Sequence, residues 1–402
     1  MSLIVLIFVV FLSVLLYRME YQDRSPFLFL WGIMDLLVIM PFLFLKDYYS
    51  EDVRFYVLLY VSFCKFFYLI TLYILRSKNL KEGKSLEIKS YPLLSYKHTN
   101  AFVVICLIGV LLLVVSSGMS VNSFMDSTVQ TKREMGGVNI LFILLISLAA
   151  PFLVSFFLNR QWKYFVLVLL VYLFVLVFFR SRSILVFVLL PLGYYVFYWK
   201  KNGKKILLII SILTLLVAVG LKVFRYQGSI SNALDVEFLQ EIPKQIKYEF
   251  SEGKGDLFVG RVFFNIVRDT NEESNYYGNY TIVRKFLNLF TFNNEKIKTI
   301  EYLLFDHYAY FSSGGSLHPT GYGVAYADFK YSLGVLLFVF LALIRVFVHK
   351  MIILTRDARL LGVCMYFCLF FARGSVYNSL VLLLIVFLVW KIVNLIFIKN
   401  EK

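Results

Sequence analysis

The sequence is short of acid and of cysteine. It has 25 Asp and Glu against 41 Lys and Arg, for a formal net charge of +16. A basic excess can mark a protein that neutralises nucleic-acid phosphates. Here the basic residues gather at the ends of apolar runs, where polytopic membrane proteins carry the Lys and Arg of their cytoplasmic loops. Nucleic acid is therefore not an expected partner. The four cysteines, Cys64, Cys106, Cys364 and Cys368, all lie within apolar runs. Cys364 and Cys368 are one helical turn apart, but no second pair or neighbouring His completes a metal site. They read as small apolar side chains, and neither metal nor cofactor is expected. Also missing are a Ser nucleophile elbow, a Walker loop, an HExxH pair and a dinucleotide fingerprint. Soluble, nucleotide-driven chemistry is not expected without them. The short alternating strands of an outer-membrane barrel are lacking too.

Hydrophobic length is abundant instead. Of 402 residues, 60% are hydrophobic and 18% aromatic, and the mean hydropathy is +0.76. Continuous apolar runs, long enough to cross roughly 30 Å of hydrocarbon, define an all-α polytopic integral membrane protein. The runs are Leu3–Tyr17, Pro26–Leu45, Phe55–Leu75, Ala101–Ser116, Val138–Leu158, Tyr164–Phe179, Ser183–Trp199 and Ile206–Val223, then Leu333–Val348, Leu360–Phe371 and Val376–Phe397. They make about eleven transmembrane helices. Nothing basic precedes the first run, and no small-residue cleavage site follows it, so it reads as an uncleaved anchor.

Charge sets the topology. Between Arg76 and Asn100 lie Arg76, Lys78, Lys81, Lys84, Lys89 and Lys97 against Glu82 and Glu87, which places this loop in the cytoplasm. Alternation outward from it puts Arg160/Lys163, Lys200/Lys201/Lys204/Lys205, Lys350/Arg356/Arg359 and Lys399/Lys402 on the same side. The N-terminus is then outside and the C-terminus cytoplasmic. The division is an N-terminal bundle of about eight helices over 1–222, a large extracytoplasmic loop over 223–332, and about three C-terminal helices over 333–402. A loop of roughly 110 residues is functional or disordered. This one has apolar residues throughout and reads as folded. Ser231 is placed to cap a helix ending at Pro243, and Tyr280–Phe290 and Ile297–Phe305 carry apolar faces of helical period. Such helices suit a loop lying on the membrane surface over the bundle.

Several residues are candidates for chemistry. Asp35 and Lys65 lie mid-run at similar depth, either as a relay or, the favoured reading, as a buried ion pair pinning two helices. Arg180 and Arg182 occupy a tight outward turn, Arg225 follows the eighth run, and Arg373 lies in the turn before the last. Arg261 and Arg268 sit within the loop. Basic residues are scarce on outer faces, and arginine suits bidentate phosphate binding, so an anionic-ligand site is expected beside the alternative of snorkelling to headgroups. His318, in a Gly- and Pro-containing segment, is either a polar surface residue, a base near neutral pH or a phosphate-orienting group. Asp328 is a second candidate base or orienting partner.

Arg180-Ser181-Arg182, Gly260-Arg261 and His318-Pro319-Thr320 leading to Asp328-Phe329 and Leu333-Gly334, within this layout, give a chain that resembles the O-antigen polymerases (Wzy-like oligosaccharide repeat-unit polymerases). The resemblance covers nearly the whole chain as architecture. It implies a metal-independent, C-type membrane glycosyltransferase in the bacterial inner membrane. Donor and acceptor would be glycans on undecaprenyl diphosphate, with membrane lipid around them and a chain-length regulator protein as a further partner. In that reading His318, Arg180, Arg182 and Asp328 are catalytic candidates, and Arg225, Arg261, Arg268 and Arg373 bind diphosphate. Tyr276, Tyr277, Tyr280, Tyr308 and Tyr310 either stack on sugar rings or form an interfacial aromatic belt. The segment after His318 lacks the acidic-aromatic pattern of a ligase relative, and Lys330 interrupts the approach to run nine. The alternatives are an O-antigen ligase, which uses the same donor, and a lipid-linked oligosaccharide flippase. A flippase calls for charges through a central cavity, short loops and often internal repeats.

Overall fold

In hydrocarbon a backbone can satisfy its polar groups only within its own segment, so long apolar runs coil into helices. The computed structural model describes residues 2–79, 160–179, 258–270, 274–291, 297–308, 317–355 and 358–397, with scattered positions between 103 and 244. Among these residues the regular structure is helical and there is no strand. The helices are α1 (Ser2–Gln22), α2 (Phe27–Phe44), α3 (Glu51–Asn79), α4 (Trp162–Phe179), α5 (Arg261–Asp269), α6 (Thr281–Thr291), α7 (Ile300–Tyr308), α8 (Thr320–Thr355), α9 (Ala358–Arg373) and α10 (Val376–Phe397). By length and composition Leu3–Gln22, Phe27–Phe44, Glu51–Leu75 and Thr320–Met351 can cross a membrane. The protein is thus an all-α protein with membrane-embedding helices. The fourth, fifth, seventh and eighth expected runs, and the segment from Ser231 to Pro243, lie largely outside the described residues.

The chain forms two compact units, one of 1–86, 252–354 and 366–402, the other of 87–251 and 355–365. In the second, α4 starts beneath an aromatic knot, with Trp162 edge-on to Phe157 at 5.7 Å and Tyr164 5.7 Å from Phe156.

The first unit embeds a few charged groups in an apolar core and leaves further apolar side chains exposed. Leu3, Ile4, Ile7, Phe8 and Phe11 stand exposed on α1, while Glu20, Asp35, Lys65 and Arg345 are buried. In water that pattern would aggregate; in lipid the apolar face needs no cover. Lys65 Nζ meets Asp35 Oδ1 at 2.5 Å and the Ser13 hydroxyl at 2.5 Å, while the Tyr17 hydroxyl donates to Asp35 Oδ2 at 2.5 Å. Asp35 and Lys65 therefore pair, as favoured from the sequence. A second cluster was not foreseen. Arg345 of α8 bonds Glu20 (3.1 Å) and Asp23 (2.5 Å), and the Tyr68 hydroxyl donates to Glu20 at 2.6 Å. Glu20 lies on α1 beyond the apolar run that ends at Tyr17, because the helix continues to Gln22.

Helix α8 is not straight. Lys330 breaks it with φ 63° and ψ 164°, a region of backbone space left almost wholly to glycine. In a continuous helix Tyr322 and Phe338 would lie roughly 24 Å apart along the axis at 1.5 Å per residue. Their rings instead stack at 5.2 Å. The leg 320–329 therefore folds back along the leg that follows Lys330. Trp31 packs near both rings, at 6.4 Å from Tyr322 and 6.0 Å from Phe338. The late polar loop also enters the bundle. Val262, Phe263, Phe264 and Ile266 of α5 are buried, and Phe263 meets Tyr60 (6.0 Å) of α3 and Tyr322 (6.4 Å) of α8. Expected to lie over the bundle, this part of the loop packs into it through its buried apolar face.

Candidate functional site

The fold-back at Lys330 decides where His318 goes. The leg 320–329 carries it away from the corner and lays it against the turn between α9 and α10. Gly374 of that turn has φ +100°, and a Cβ there would sit 2.9 Å from Pro319 Cδ and from the Thr320 backbone. Only glycine permits both the conformation and the approach. Ser375 Oγ then lies 3.4 Å from His318 Nδ1. His318 and the Arg373 turn, 55 positions apart in sequence, are thus neighbours in space. A base role for His318 requires the tautomer in which Nδ1–H donates to Ser375 Oγ, leaving Nε2 as acceptor.

Helices α6 and α7 complete the surroundings. Phe286 packs at 5.3 Å on Tyr377, two residues beyond Ser375, and Lys285 Nζ stands 5.0 Å from the same ring. The Leu317 N–H donates to the Glu301 carbonyl at 3.0 Å, tying the start of α7 to the residue before His318. Glu301 is buried, and its Oε2 has no hydrogen-bond partner. Burial raises its carboxyl above the usual range, opposed by the Thr299 hydroxyl and its own backbone N–H and, more weakly, by Lys285. Burial likewise pulls the Lys285 ammonium down, and Glu301 pulls it back up. The circuit runs from His318 through Ser375, Tyr377, Lys285 and Glu301 to Leu317. It links one histidine, one lysine and a buried acid from four segments.

Asp328, expected as a second base or an orienting partner, acts as a cap. It is fully buried, and its two oxygens accept the N–H groups of Thr281 (2.7 Å) and Ile282 (3.1 Å). It caps α6 from across the fold, which complements the helix dipole. A carboxylate so occupied holds the site's frame, which agrees with the orienting alternative. Tyr276 is corrected too. Its ring is buried, 4.8 Å from His307 and 6.0 Å from Tyr308, so it has no open face for a sugar. Tyr277 and Tyr280 are half-buried: the Tyr331 N–H donates to the Tyr277 hydroxyl at 3.2 Å, and Tyr280 lies edge-on to Phe329 at 6.0 Å.

Arg261 and Arg268 belong to α5, beside the α2–α3 connection, where the Tyr49 hydroxyl reaches the Arg261 carbonyl (3.3 Å) and Asn265 (2.8 Å). Arg268 is paired with Asp269 at 2.5 and 2.8 Å, and this bond holds the Asp269 carboxyl below its usual range. Arg180, Arg182, Arg225 and Tyr310 lie outside the described residues. Among the described residues no group of three or more His, Cys, Asp or Glu could hold a metal ion. Comparison with family models, with curated proteins and with solved structures gives no match.

Ser375, Lys285 and Glu301 were not picked out by sequence. Lys285 and Glu301 lie in segments flagged only for helical periodicity, and nothing local marks Ser375.

Proposed function

We propose that the chain is a polymerase of lipid-linked oligosaccharide repeat units, acting at the outer face of a bacterial inner membrane. The observation that carries this reading is the placement of His318 and Ser375 beside the Arg373–Gly374 turn, with Lys285 close by, in a helical bundle made for lipid. A donor glycan on undecaprenyl diphosphate would be attacked at its anomeric carbon by a hydroxyl of the acceptor's terminal sugar. The new C–O bond forms as the bond to phosphate breaks, and the hydroxyl proton passes to His318 Nε2. Undecaprenyl diphosphate leaves with the bonding electrons. The developing charge on the leaving group needs fixed cations, for which the outward arginines and Lys285 are suited.

The wider topology belongs to the same reading: about eleven spans, N-terminus outside, C-terminus cytoplasmic and the late loop extracytoplasmic. It is supported by the opposed placement of two contacts. The α2–α3 connection meets α5 of the loop, while the α1–α2 connection meets Arg345 in the far half of α8.

The test is a gel of surface polysaccharide from cells lacking this chain. A single repeat unit on the lipid core, without a ladder, is the expected result. Complete loss of surface glycan, with lipid-linked repeats accumulating, would overturn the polymerase in favour of a ligase or flippase.

A further inference from the structure

Helices α1, α2 and α3 enclose a trough that has no part in the transfer chemistry. On α3, Arg54, Leu58, Val61 and Lys65 recur at helical spacing and share one face. At 1.5 Å per residue that face runs roughly 16 Å from Arg54 to Lys65, half of a ~30 Å hydrocarbon core. Leu58 and Val61, with aliphatic residues of α1 and α2, line a cavity of about 180 Å³. Its floor is the Asp35–Lys65 pair, whose polar atoms already bond their neighbours. The Ser13 hydroxyl accepts from Lys65 and donates to the Val9 carbonyl at 2.8 Å, and the Tyr17 hydroxyl donates to Asp35. At the other end stands Arg54, in the first turn of a helix able to cross a membrane. Its guanidinium carbon lies 4.3 Å from the centre of the Phe42 ring, which lines the same cavity. Arg54 is half-buried, and its Nε is shut off from solvent without a hydrogen-bond partner. Among the described residues no carboxylate forms an ion pair with it. We propose that this trough binds one anionic phospholipid of the bilayer, with its phosphate on Arg54 and one acyl chain lying along α3.

Each end of the trough specifies one part of that ligand. A buried guanidinium nitrogen without a partner is costly, and the planar donor fork of arginine matches a phosphate. A floor whose polar atoms bond one another suits the methyl end of a chain. The cavity has room for about six groups of water or methylene size, at ~30 Å³ each, so it admits one chain and not two. The chain enters from the side. Val10 and Val14 of α1 line the cavity and are 49% and 58% exposed on the face made for lipid. A trough one leaflet deep, closed at its inner end, fits an acyl chain, which ends at the bilayer midplane. A polyprenyl chain is much longer and would have to turn back on itself. An arginine that merely snorkels to headgroups makes no use of the trough, and that contrast sets the test. The site is built from α1, α2 and α3 alone, so it stands whether or not the transferase reading does.

The experiment is native mass spectrometry of the purified full-length chain in detergent, titrated with phosphatidylglycerol or with phosphatidylcholine. One phosphatidylglycerol is expected to stay on each chain, bound at least about tenfold more tightly than phosphatidylcholine, as a charge-assisted contact implies. Arg54→Gln should erase that preference. Val10→Trp, which sets an indole at the side opening of the trough, should weaken binding of both lipids. Equal retention of the two lipids by the parent chain, or an unchanged preference in Arg54→Gln, overturns the headgroup assignment. Loss in Arg54→Gln with full binding in Val10→Trp leaves a snorkelling arginine and overturns the trough. Displacement of phosphatidylglycerol by an equal concentration of undecaprenyl diphosphate overturns the choice of lipid. A second readout needs no variant. Phosphatidylglycerol with a diazirine at the end of one acyl chain, in excess phosphatidylcholine, should label α1 and α2 around Ser13 and Asp35; labelling only elsewhere overturns the site.

Discussion

Replacing Asp35 by Asn isolates the electrostatics of the buried bundle. In the folded protein Lys65 has two close partners, Asp35 Oδ1 at 2.5 Å and the Ser13 hydroxyl at 2.5 Å, and it is fully buried. Asp35→Asn removes the only negative one. Breaking a buried pair from one side costs about 3–5 kcal/mol, because a desolvated charge is left behind. At about 1.4 kcal/mol per factor of ten, that lowers the folded-to-unfolded ratio by roughly two to three and a half powers of ten. Removing both charges in Asp35→Leu with Lys65→Met leaves no orphaned charge, so the double variant should return to within about 1.5 kcal/mol of the parent. The assay is the amount and melting midpoint of a detergent-solubilised fluorescent fusion. A double variant as unstable as either single one would refute the pairing argument. A normal melting midpoint in Asp35→Asn together with lost activity would point to a relay instead.

Two further changes test the frame around the site. Asp328→Ala should lower the melting midpoint, at a cost of about 1–2 kcal/mol for the lost cap, and reduce activity through α6. Asp328→Asn with an unchanged midpoint but no product would instead restore the catalytic reading. Lys330→Gly relieves a backbone conformation that costs about 1–3 kcal/mol, whereas Lys330→Ala keeps it, so the glycine variant should melt higher than the alanine variant; equal midpoints would show that the corner is unstrained.

Helix existence was legible because each helix depends on a local property, an apolar run of sufficient length. The expected stretches Pro26–Leu45, Tyr164–Phe179 and Val376–Phe397 correspond to α2, α4 and α10 within a residue or two. The expected helices Tyr280–Phe290 and Ile297–Phe305 appear as α6 and α7 with shifted ends. Asp35 and Lys65 were legible as partners because charges at equal depth in hydrocarbon have few choices. The capping role of Asp328 was not legible, because its partners lie 46 and 47 positions away.

The sequence by itself determined the class of element and the solvent it is made for. Long apolar runs with basic ends admit few other structures, whatever their neighbours. Only the tertiary structure decided which polar side chains meet. A left-handed Lys330 turns α8 back on itself, and Gly374 lets the α9–α10 turn close on Pro319 and Thr320. Those two backbone events bring His318 to Ser375. They are set by packing of distant rings such as Tyr322 on Phe338, and no window of the chain around any one of these residues contains that information.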